Sequence, residues 1–184
     1  MIKTGVIHGR FQVLHHDHLK YLLAGKARCD FLYVGITNPD PGHTAADDAD
    51  AHRSTPANNP LTYFERALLV RAALTEAGVS PGEFMVVPFP INFPDLYHYY
   101  VPPDATYFLT IYDPWGEKKL AMFAALGLRT EILWRKTPET KGLSSSEIRR
   151  LMAAGEPWHN LMPRAAARLL EEWQIPARLR KIPG

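Results

Sequence analysis

The sequence predicts an α/β fold, a doubly wound parallel sheet with helices on both faces. Short apolar runs recur along the chain, as is typical of buried parallel strands. Segments with helical periodicity separate these runs, so that strands and helices alternate. The first run ends in a turn of glycine and polar residues, and parallel sheets of this kind bind ligands where their strands end.

The composition is that of an ordinary globular protein. The 184 residues are 46% hydrophobic and 22% charged, which suits one domain with a core of its own. A net charge of +2 gives no indication of nucleic-acid or membrane partners. Cys29 is the only cysteine, which favours a small core residue and a reducing, cytoplasmic location. We expect one domain over 1–184 without signal peptide or membrane span, and leave open a homo-oligomer.

The opening stretch is typical of a strand, a tight turn and a helix. A buried strand around Val6 and Ile7 ends at Gly9, and an amphipathic helix follows over about 17–26. Backbone N–H groups at a helix N-terminus attract anions, and the helix dipole adds to this attraction. The turn between strand and helix is therefore a candidate phosphate site.

Three side chains of this turn suit a phosphate. His15 and His18 are three residues apart, so both can point from the first helical turn toward a bound anion. Arg10 offers a planar fork that matches phosphate oxygens. The alternative is that the histidines only cap the helix, but their combination with Arg10 favours a binding site. We predict that all three act in catalysis.

The middle of the chain supplies further strands and helices. They are strands at 31–37, 84–87 and 106–111, and helices at 61–77 and about 117–126. Thr62 and Glu65 have the spacing of a capping box. Between 38 and 59 the chain is polar, acidic and without periodicity, which suits a solvated loop and a substrate-closing lid equally.

Candidate ligand contacts lie where these strands end. Thr37 and Asn38 follow the second strand, and Tyr112 and Trp115 follow the fourth and could contact a base. Residues 88–100 are rich in proline and aromatic residues, which predicts a constrained loop.

That loop offers aromatic side chains to a flat acceptor, and Tyr97 is the candidate for stacking. The alternative is core packing, which we favour for Phe89 and Phe93.

A second group of polar residues lies near the end of the chain, after a fifth strand at 130–134. Ser144, Ser145 and Ser146 begin a helix predicted over 145–154, and Arg149 lies one turn along it. The hydroxyls, the guanidinium and the helix N-terminus favour a second phosphate site, and a serine cap is compatible with it. A last helix is predicted over 163–173, followed by a solvated tail at 178–181.

Two motifs carry a resemblance to a known family. Residues 9–18, Gly-Arg-Phe-Gln-Val-Leu-His-His-Asp-His, resemble the signature Gly-Arg-Phe-Gln-Pro-Phe-His-x-Gly-His of the nucleotidyltransferase superfamily. Residues 142–150 resemble its Ile-Ser-x-Thr-x-x-Arg motif, which holds the triphosphate. The branch that the chain resembles most is that of the archaeal-type nicotinamide/nicotinate mononucleotide adenylyltransferases. Residues 59–66 also resemble the Asn-Pro-Phe-Thr-x-x-Glu-Arg segment of this branch.

The resemblance implies a Rossmann-like five-stranded sheet of order 3-2-1-4-5, with the second phosphate motif on C-terminal helices at 144–173. It implies adenylyl transfer from ATP to a pyridine mononucleotide, with Mg²⁺ arriving on ATP and no protein ligand assigned to the metal. The implied catalytic residues are His15, His18, Arg10 and Arg149. The implied nucleotide contacts are Gly9, Arg10, Phe11, His18, Tyr112, Ser144, Ser145, Ser146 and Arg149. The implied acceptor contacts are Thr37, Asn38, Arg66 and Tyr97, and a solvated helix arginine is the alternative for Arg66.

Two departures from the family pattern bear on function, one between the histidines and one in the acceptor region. Asp17 replaces the glycine between the histidines, and we expect its carboxylate to point away from the triphosphate, stabilise the helix N-terminus or orient a neighbouring histidine. A role on Mg²⁺ is the less favoured alternative, because phosphates and water mostly hold this ion. Ile91 and Tyr97 stand where the branch has an acidic residue and a tryptophan. The alternatives are therefore a cytidylyl- or adenylyltransferase for another phosphorylated small molecule, and a non-catalytic nucleotide-binding module. His15, His18 and Arg149 argue against the last of these.

Overall fold

The computed structural model describes residues 2–43, 58–137 and 142–182. In these segments five parallel strands form one sheet of order β3-β2-β1-β4-β5, which confirms the order that the resemblance implied. The strands are β1 (Ile2–Gly9), β2 (Cys29–Ile36), β3 (Phe84–Pro88), β4 (Thr106–Ile111) and β5 (Arg129–Arg135). The helices are α1 (His16–Lys26), α2 (Tyr63–Glu76), α3 (Pro114–Ala125), α4 (Ser145–Ala154), α5 (Arg164–Glu172) and α6 (Ile175–Leu179).

Two hydrophobic cores cover the two faces of the sheet. Val6 and Ile7 are neighbours in β1, and side chains alternate across a strand, so they point to opposite faces. Ile7 belongs to the larger core, to which α1, α2, α4, α5 and α6 contribute. Val6 belongs to the smaller core, with Phe123 of α3 and Tyr97 of the loop after β3. Helices therefore lie on both faces, and the predicted doubly wound α/β fold is confirmed.

The helix starts show how the sequence fixes element bounds. The capping box of α2 is present: the Thr62 hydroxyl accepts from the Glu65 N–H at 3.2 Å, and the Glu65 carboxylate accepts from the Thr62 N–H at 2.9 Å. Helix α3 begins at Pro114, earlier than predicted, because the Asp113 carboxylate accepts from the Gly116 N–H at 3.0 Å. Proline fits the first helical turn, where its missing N–H costs nothing.

The C-terminal stretch around Arg178 does not form the predicted solvated tail. It forms α6, which buries Ile175 in the larger core. Arg178 reaches the first turn of α2 and donates to both Glu65 carboxylate oxygens, at 2.9 and 2.7 Å. A two-pronged ion pair of this kind orients both partners. The prediction failed because a basic stretch carries no local sign of its distant partner.

Two remaining predictions concern the long loop and the cysteine. In the acidic stretch between 38 and 59, residues 41–43 form a single helical turn, and 44–57 lie outside the described residues. Cys29 is fully buried in the larger core, as expected of a small core residue. In the described part of the chain, no helix is long and apolar enough to cross a membrane.

Candidate active site

A cleft of about 400 Å³ opens where β1 and β4 end. Its walls contain residues from both predicted phosphate motifs and from the ends of β2 and β4. The predicted residues that line it are Gly9, Arg10, Phe11, His15, His18, Thr37, Asn38, Tyr112, Trp115, Ser144, Ser145 and Ser146. The structure therefore brings together two motifs that lie more than a hundred residues apart in the sequence.

The turn after β1 is fixed by close packing and side-chain hydrogen bonds. A Cβ atom at Gly9 would lie 2.8 Å from the ring of Phe11, so no larger residue fits without moving that buried ring. The Gln12 side chain donates to the Leu61 carbonyl and accepts from the Leu61 N–H, both at 2.9 Å. These two bonds hold the turn against the segment that enters α2.

The two histidines of the turn lie against each other at the start of α1. Their ring centroids are 3.7 Å apart, and the His15 backbone N–H donates to His18 Nδ1 at 3.4 Å. Burial lowers the pKa of His15 to about 4, although Asp17 opposes this shift. Burial also holds the pKa of His18 well below its usual value, and the charges of His15 and Arg10 add to the effect. Both rings are therefore neutral at pH 7, and each still has one N–H to donate.

The second motif is attached directly to the first. Asp17 accepts from the Leu143 backbone N–H at 2.6 Å, and the Ser145 hydroxyl donates to the Val13 carbonyl at 2.9 Å. A Cβ atom at Gly142 would lie 2.2 Å from the Asp17 carboxylate, so only glycine allows this approach. None of the roles that the sequence suggested for Asp17 included this one. Its carboxylate joins the start of α1 to the segment that enters α4.

Arg149 lies behind the cleft and does not line it. Its guanidinium donates to the Gln12 carbonyl, to the Asn58 side-chain oxygen at 2.6 Å and to the Ser146 hydroxyl at 3.3 Å. The side chain is largely buried, and burial lowers its pKa. Arg149 therefore links both motifs to the segment before α2. Its contact with a triphosphate stays a prediction.

Arg66 and Tyr97 were predicted to contact the acceptor. Neither is among the residues that line the cleft. Arg66 is 2% exposed, and its guanidinium donates to the carbonyls of Arg10, Thr37 and Asn38 at 3.0, 2.8 and 2.8 Å. Arg66 is thus not a solvated arginine, because its hydrogen bonds organise the backbone where β1 and β2 end. Its contact with the acceptor stays a prediction.

Tyr97 belongs to the smaller core. Its ring packs against Phe89 with centroids 4.4 Å apart, and its hydroxyl donates to the Ile91 carbonyl at 2.6 Å. This buried ring presents no face to a flat acceptor. Phe89 is fully buried, as favoured, whereas Phe93 remains partly exposed. Phe89 and Tyr97 therefore build the smaller core and Tyr100 packs against it, whereas Tyr99 is exposed.

The cleft also contains residues that sequence reasoning missed. They are His8, Tyr21, Asn92, Thr110 and Lys119. The position of His8 at the end of β1 is a sequence signal, since ligands bind where such strands end. Lys119 gives no signal, because a lysine within a helical pattern is usually a solvated one. In the described segments, no three His, Cys, Asp or Glu side chains are grouped as metal ligands.

The comparisons with known proteins agree with this geometry. A model of the family described as cytidylyltransferase-like matches residues 6–151, which include both phosphate motifs. The chain belongs to this family. It is therefore a nucleotidyltransferase, and the superfamily resemblance is confirmed.

Two relatives differ in the activity that they are named for. The chain is 54% identical to the phosphonoformate cytidylyltransferase of Streptomyces viridochromogenes, over 96% of this chain and 95% of that protein. It is 31% identical to the nicotinamide-nucleotide adenylyltransferase of Thermococcus kodakarensis, over 94% of this chain and 84% of that protein.

Solved structures share the fold. A bifunctional NMN adenylyltransferase/ADP ribose pyrophosphatase from Francisella tularensis aligns over 98% of this chain with a TM-score of 0.68 and 12% identity. This chain spans about half of that longer protein, 52% of its length. A nicotinate-nucleotide adenylyltransferase-like protein from Vibrio parahaemolyticus aligns over 99% of this chain and 98% of its own, with a TM-score of 0.59 and 15% identity. At such identities the likeness concerns the fold alone.

Proposed function

We propose that this enzyme transfers a cytidylyl group from CTP to a small acceptor that carries a phosphonate or phosphate group, with phosphonoformate as the favoured acceptor. The observation that carries the proposal is the 54% identity to a phosphonoformate cytidylyltransferase, which extends over almost the whole of both chains. The nicotinamide-nucleotide adenylyltransferases are matched at 31% or less.

The lining of the cleft supports a small, strongly charged acceptor. Tyr97, the candidate for stacking on a pyridine ring, is buried with Phe89 in the smaller core. Ile91 and Asn92 line the cleft from the same loop and provide no aromatic face. A pyridine ring therefore lacks the predicted stacking contact with Tyr97, whereas a small anionic acceptor does not require such a contact.

In the proposed reaction an oxygen of the acceptor attacks the α-phosphorus of CTP. A new P–O bond forms, the bond from the α-phosphorus to the bridging oxygen breaks, and pyrophosphate leaves with the electron pair. Both reactants are anions, so the protein must hold them in line and stabilise the charge that develops on the phosphate oxygens. CTP enters as its Mg²⁺ complex, and the metal belongs to the substrate.

The residues of the cleft can divide this work. Arg10 supplies a permanent positive charge beside the attacking and transferred groups. The neutral rings of His15 and His18 donate N–H groups that need no change of protonation state during the reaction. Ser144 and Ser146 offer hydroxyls to the β- and γ-phosphates at the N-terminus of α4, and Ser145 holds this helix start against Val13.

An assay of pyrophosphate release tests which nucleotide and which acceptor the enzyme uses. Purified enzyme with Mg²⁺ receives CTP or ATP, combined in turn with phosphonoformate, inorganic phosphate, nicotinamide mononucleotide or nicotinate mononucleotide. We expect the highest kcat/KM for CTP with phosphonoformate. A preference for ATP with either mononucleotide would replace this proposal by pyridine dinucleotide synthesis, the second candidate.

A further inference from the structure

His8 is a buried histidine that lines the cleft. It lies one residue before the end of β1 and is only 5% exposed. The rings of Phe89 and Phe123 flank it, with both centroid distances 5.5 Å. Neither of its ring nitrogens has a hydrogen-bond partner among residues 2–43, 58–137 and 142–182.

An imidazole in this state is costly for the fold. Most buried polar side chains are hydrogen-bonded, because burying an unpartnered donor or acceptor forfeits its bonds to water. Phenylalanine would fill the same aromatic surroundings without this cost. A polar side chain at this position therefore points to a ligand that enters the cleft and completes its hydrogen bonds.

Lys119 contributes a positive charge near His8. It lies four residues before Phe123 on α3, so that both side chains emerge from the same face of the helix. Lys119 lines the cleft, and Phe123 packs on His8. The charge of Lys119 also reaches His8, since burial and then this charge hold the pKa of the imidazole well below its usual value. A neutral donor beside a cation is suited to bind an anion.

This pair is on the other face of the sheet from the phosphate motifs. His8 and Lys119 are next to the smaller core, through Phe89 and Phe123. The helices α1 and α4, whose N-termini carry the phosphate motifs, pack in the larger core. We therefore expect an anion at His8 to be a group other than the triphosphate.

We propose that His8 and Lys119 bind the second anionic group of the acceptor, which in phosphonoformate is the carboxylate bonded directly to phosphorus. This inference rests on the proposed function and names the part of the acceptor that the site selects. The His8 ring donates to one carboxylate oxygen, Lys119 neutralises the charge, and the phosphonate is turned toward Arg10. An acceptor without the carboxylate gains nothing from the pair.

The test compares two acceptors in the Lys119→Met variant. Phosphonoformate carries the carboxylate, and methylphosphonate lacks it. We expect the KM for phosphonoformate to rise about tenfold or more, as for the loss of a hydrogen bond to a charged group. The KM values for methylphosphonate and CTP should stay within about twofold. Lys118→Met is the matched control: it removes the same charge from the preceding position of α3, where the side chain is exposed and outside the cleft lining.

A second variant and a spectroscopic measurement address His8 itself. His8→Phe fills the aromatic surroundings and should reproduce the loss for phosphonoformate alone. In the wild-type enzyme, phosphonoformate should shift the ring ¹⁵N resonances of His8, and methylphosphonate should leave them unchanged.

The outcomes separate the two proposals. If wild-type enzyme makes no product from CTP and phosphonoformate, the proposed function is wrong. The inference is wrong if wild-type enzyme forms this product but Lys119→Met raises the KM of both acceptors equally or of CTP alone. In that case His8 and Lys119 do not recognise the carboxylate. Unchanged kinetics together with unchanged His8 resonances would also overturn it.

Discussion

At the scale of single residues, the electrostatics of the cleft depend on how deeply its histidines are buried. Burial lowers the pKa values of His8, His15 and His18, so the imidazoles act as neutral donors. The permanent positive charge comes from Arg10 and Lys119, which line the same cleft. The cleft thus combines a few fixed cations with a set of uncharged N–H groups, an arrangement that suits the polyanions of the proposed reaction.

His18→Ala should lower kcat far more than it raises the KM for the nucleotide. Its N–H is expected to strengthen its bond to a phosphate oxygen as charge develops there, and deleting one such donor typically costs about 10²- to 10³-fold in rate. Steady-state kinetics with saturating acceptor measure both constants. The exposed His16 provides the control, since His16→Ala should leave both unchanged. A rise in KM at constant kcat would make His18 a ground-state contact only.

The pH dependence of folding follows from His15. Its pKa is about 4 in the folded chain, against the ordinary value of 6.5 for an exposed imidazole. Between pH 6.5 and 4 the unfolded chain therefore binds a proton at this residue that the folded chain does not bind. Stability from this source is complete above pH 6.5 and falls as the pH drops toward 4. Replacing His15 by glutamine should therefore reduce the loss of unfolding free energy between pH 7.5 and 5 by about 2 kcal/mol. Urea unfolding at both pH values measures this, and an undiminished loss would contradict the assignment.

At the scale of elements, the site depends on contacts between segments that are distant in sequence. The two motifs could be recognised in the sequence, because each combines a helix start with residues suited to phosphate. Their binding of phosphate stays a prediction. Their attachment through Asp17 and Leu143 could not be predicted, because a carboxylate in place of a glycine has no local partner. The same holds for Arg66, whose helical position gives no sign that its side chain donates to five backbone carbonyls.

Asp17→Ala should loosen the second motif. The variant removes the acceptor for the Leu143 N–H, and a hydrogen bond to a charged group contributes about 1.5–3 kcal/mol. We expect faster hydrogen exchange at the Leu143 amide and a higher KM for CTP. Asp30→Ala changes an exposed aspartate near the start of β2 and serves as the control. Equal exchange rates at Leu143 in wild type and Asp17→Ala would remove the proposed link.

Arg178→Met should release α6 from α2. The variant loses the two hydrogen bonds to the partly buried Glu65. In the wild type Arg178 outweighs the effect of burial on the pKa of Glu65, and without Arg178 burial destabilises the ionised carboxylate. We expect a loss of about 1–3 kcal/mol of unfolding free energy with kcat unchanged. Arg180→Met, at an exposed position two residues later, should cost little. If both variants are equally stable, the ion pair does not hold α6.

At the scale of the whole molecule, the fold could be predicted in more detail than the substrate. Alternating strands and helices predicted the doubly wound sheet, and the first motif located the cleft at the end of β1. The acceptor was harder to predict because aromatic residues in a loop pack inward or face a ligand with equal ease. Tyr97 shows the difference: its place in the sequence suits stacking, but its ring completes the smaller core.

We propose that this enzyme transfers a cytidylyl group to a small phosphonate. One competition experiment tests it most directly. The enzyme receives equal concentrations of CTP and ATP together with equal concentrations of phosphonoformate and nicotinamide mononucleotide, and mass spectrometry identifies the products. We expect the CMP adduct of phosphonoformate as the main product, and a predominance of NAD⁺ would show that cytidylyl transfer to a phosphonate is not the activity of this enzyme.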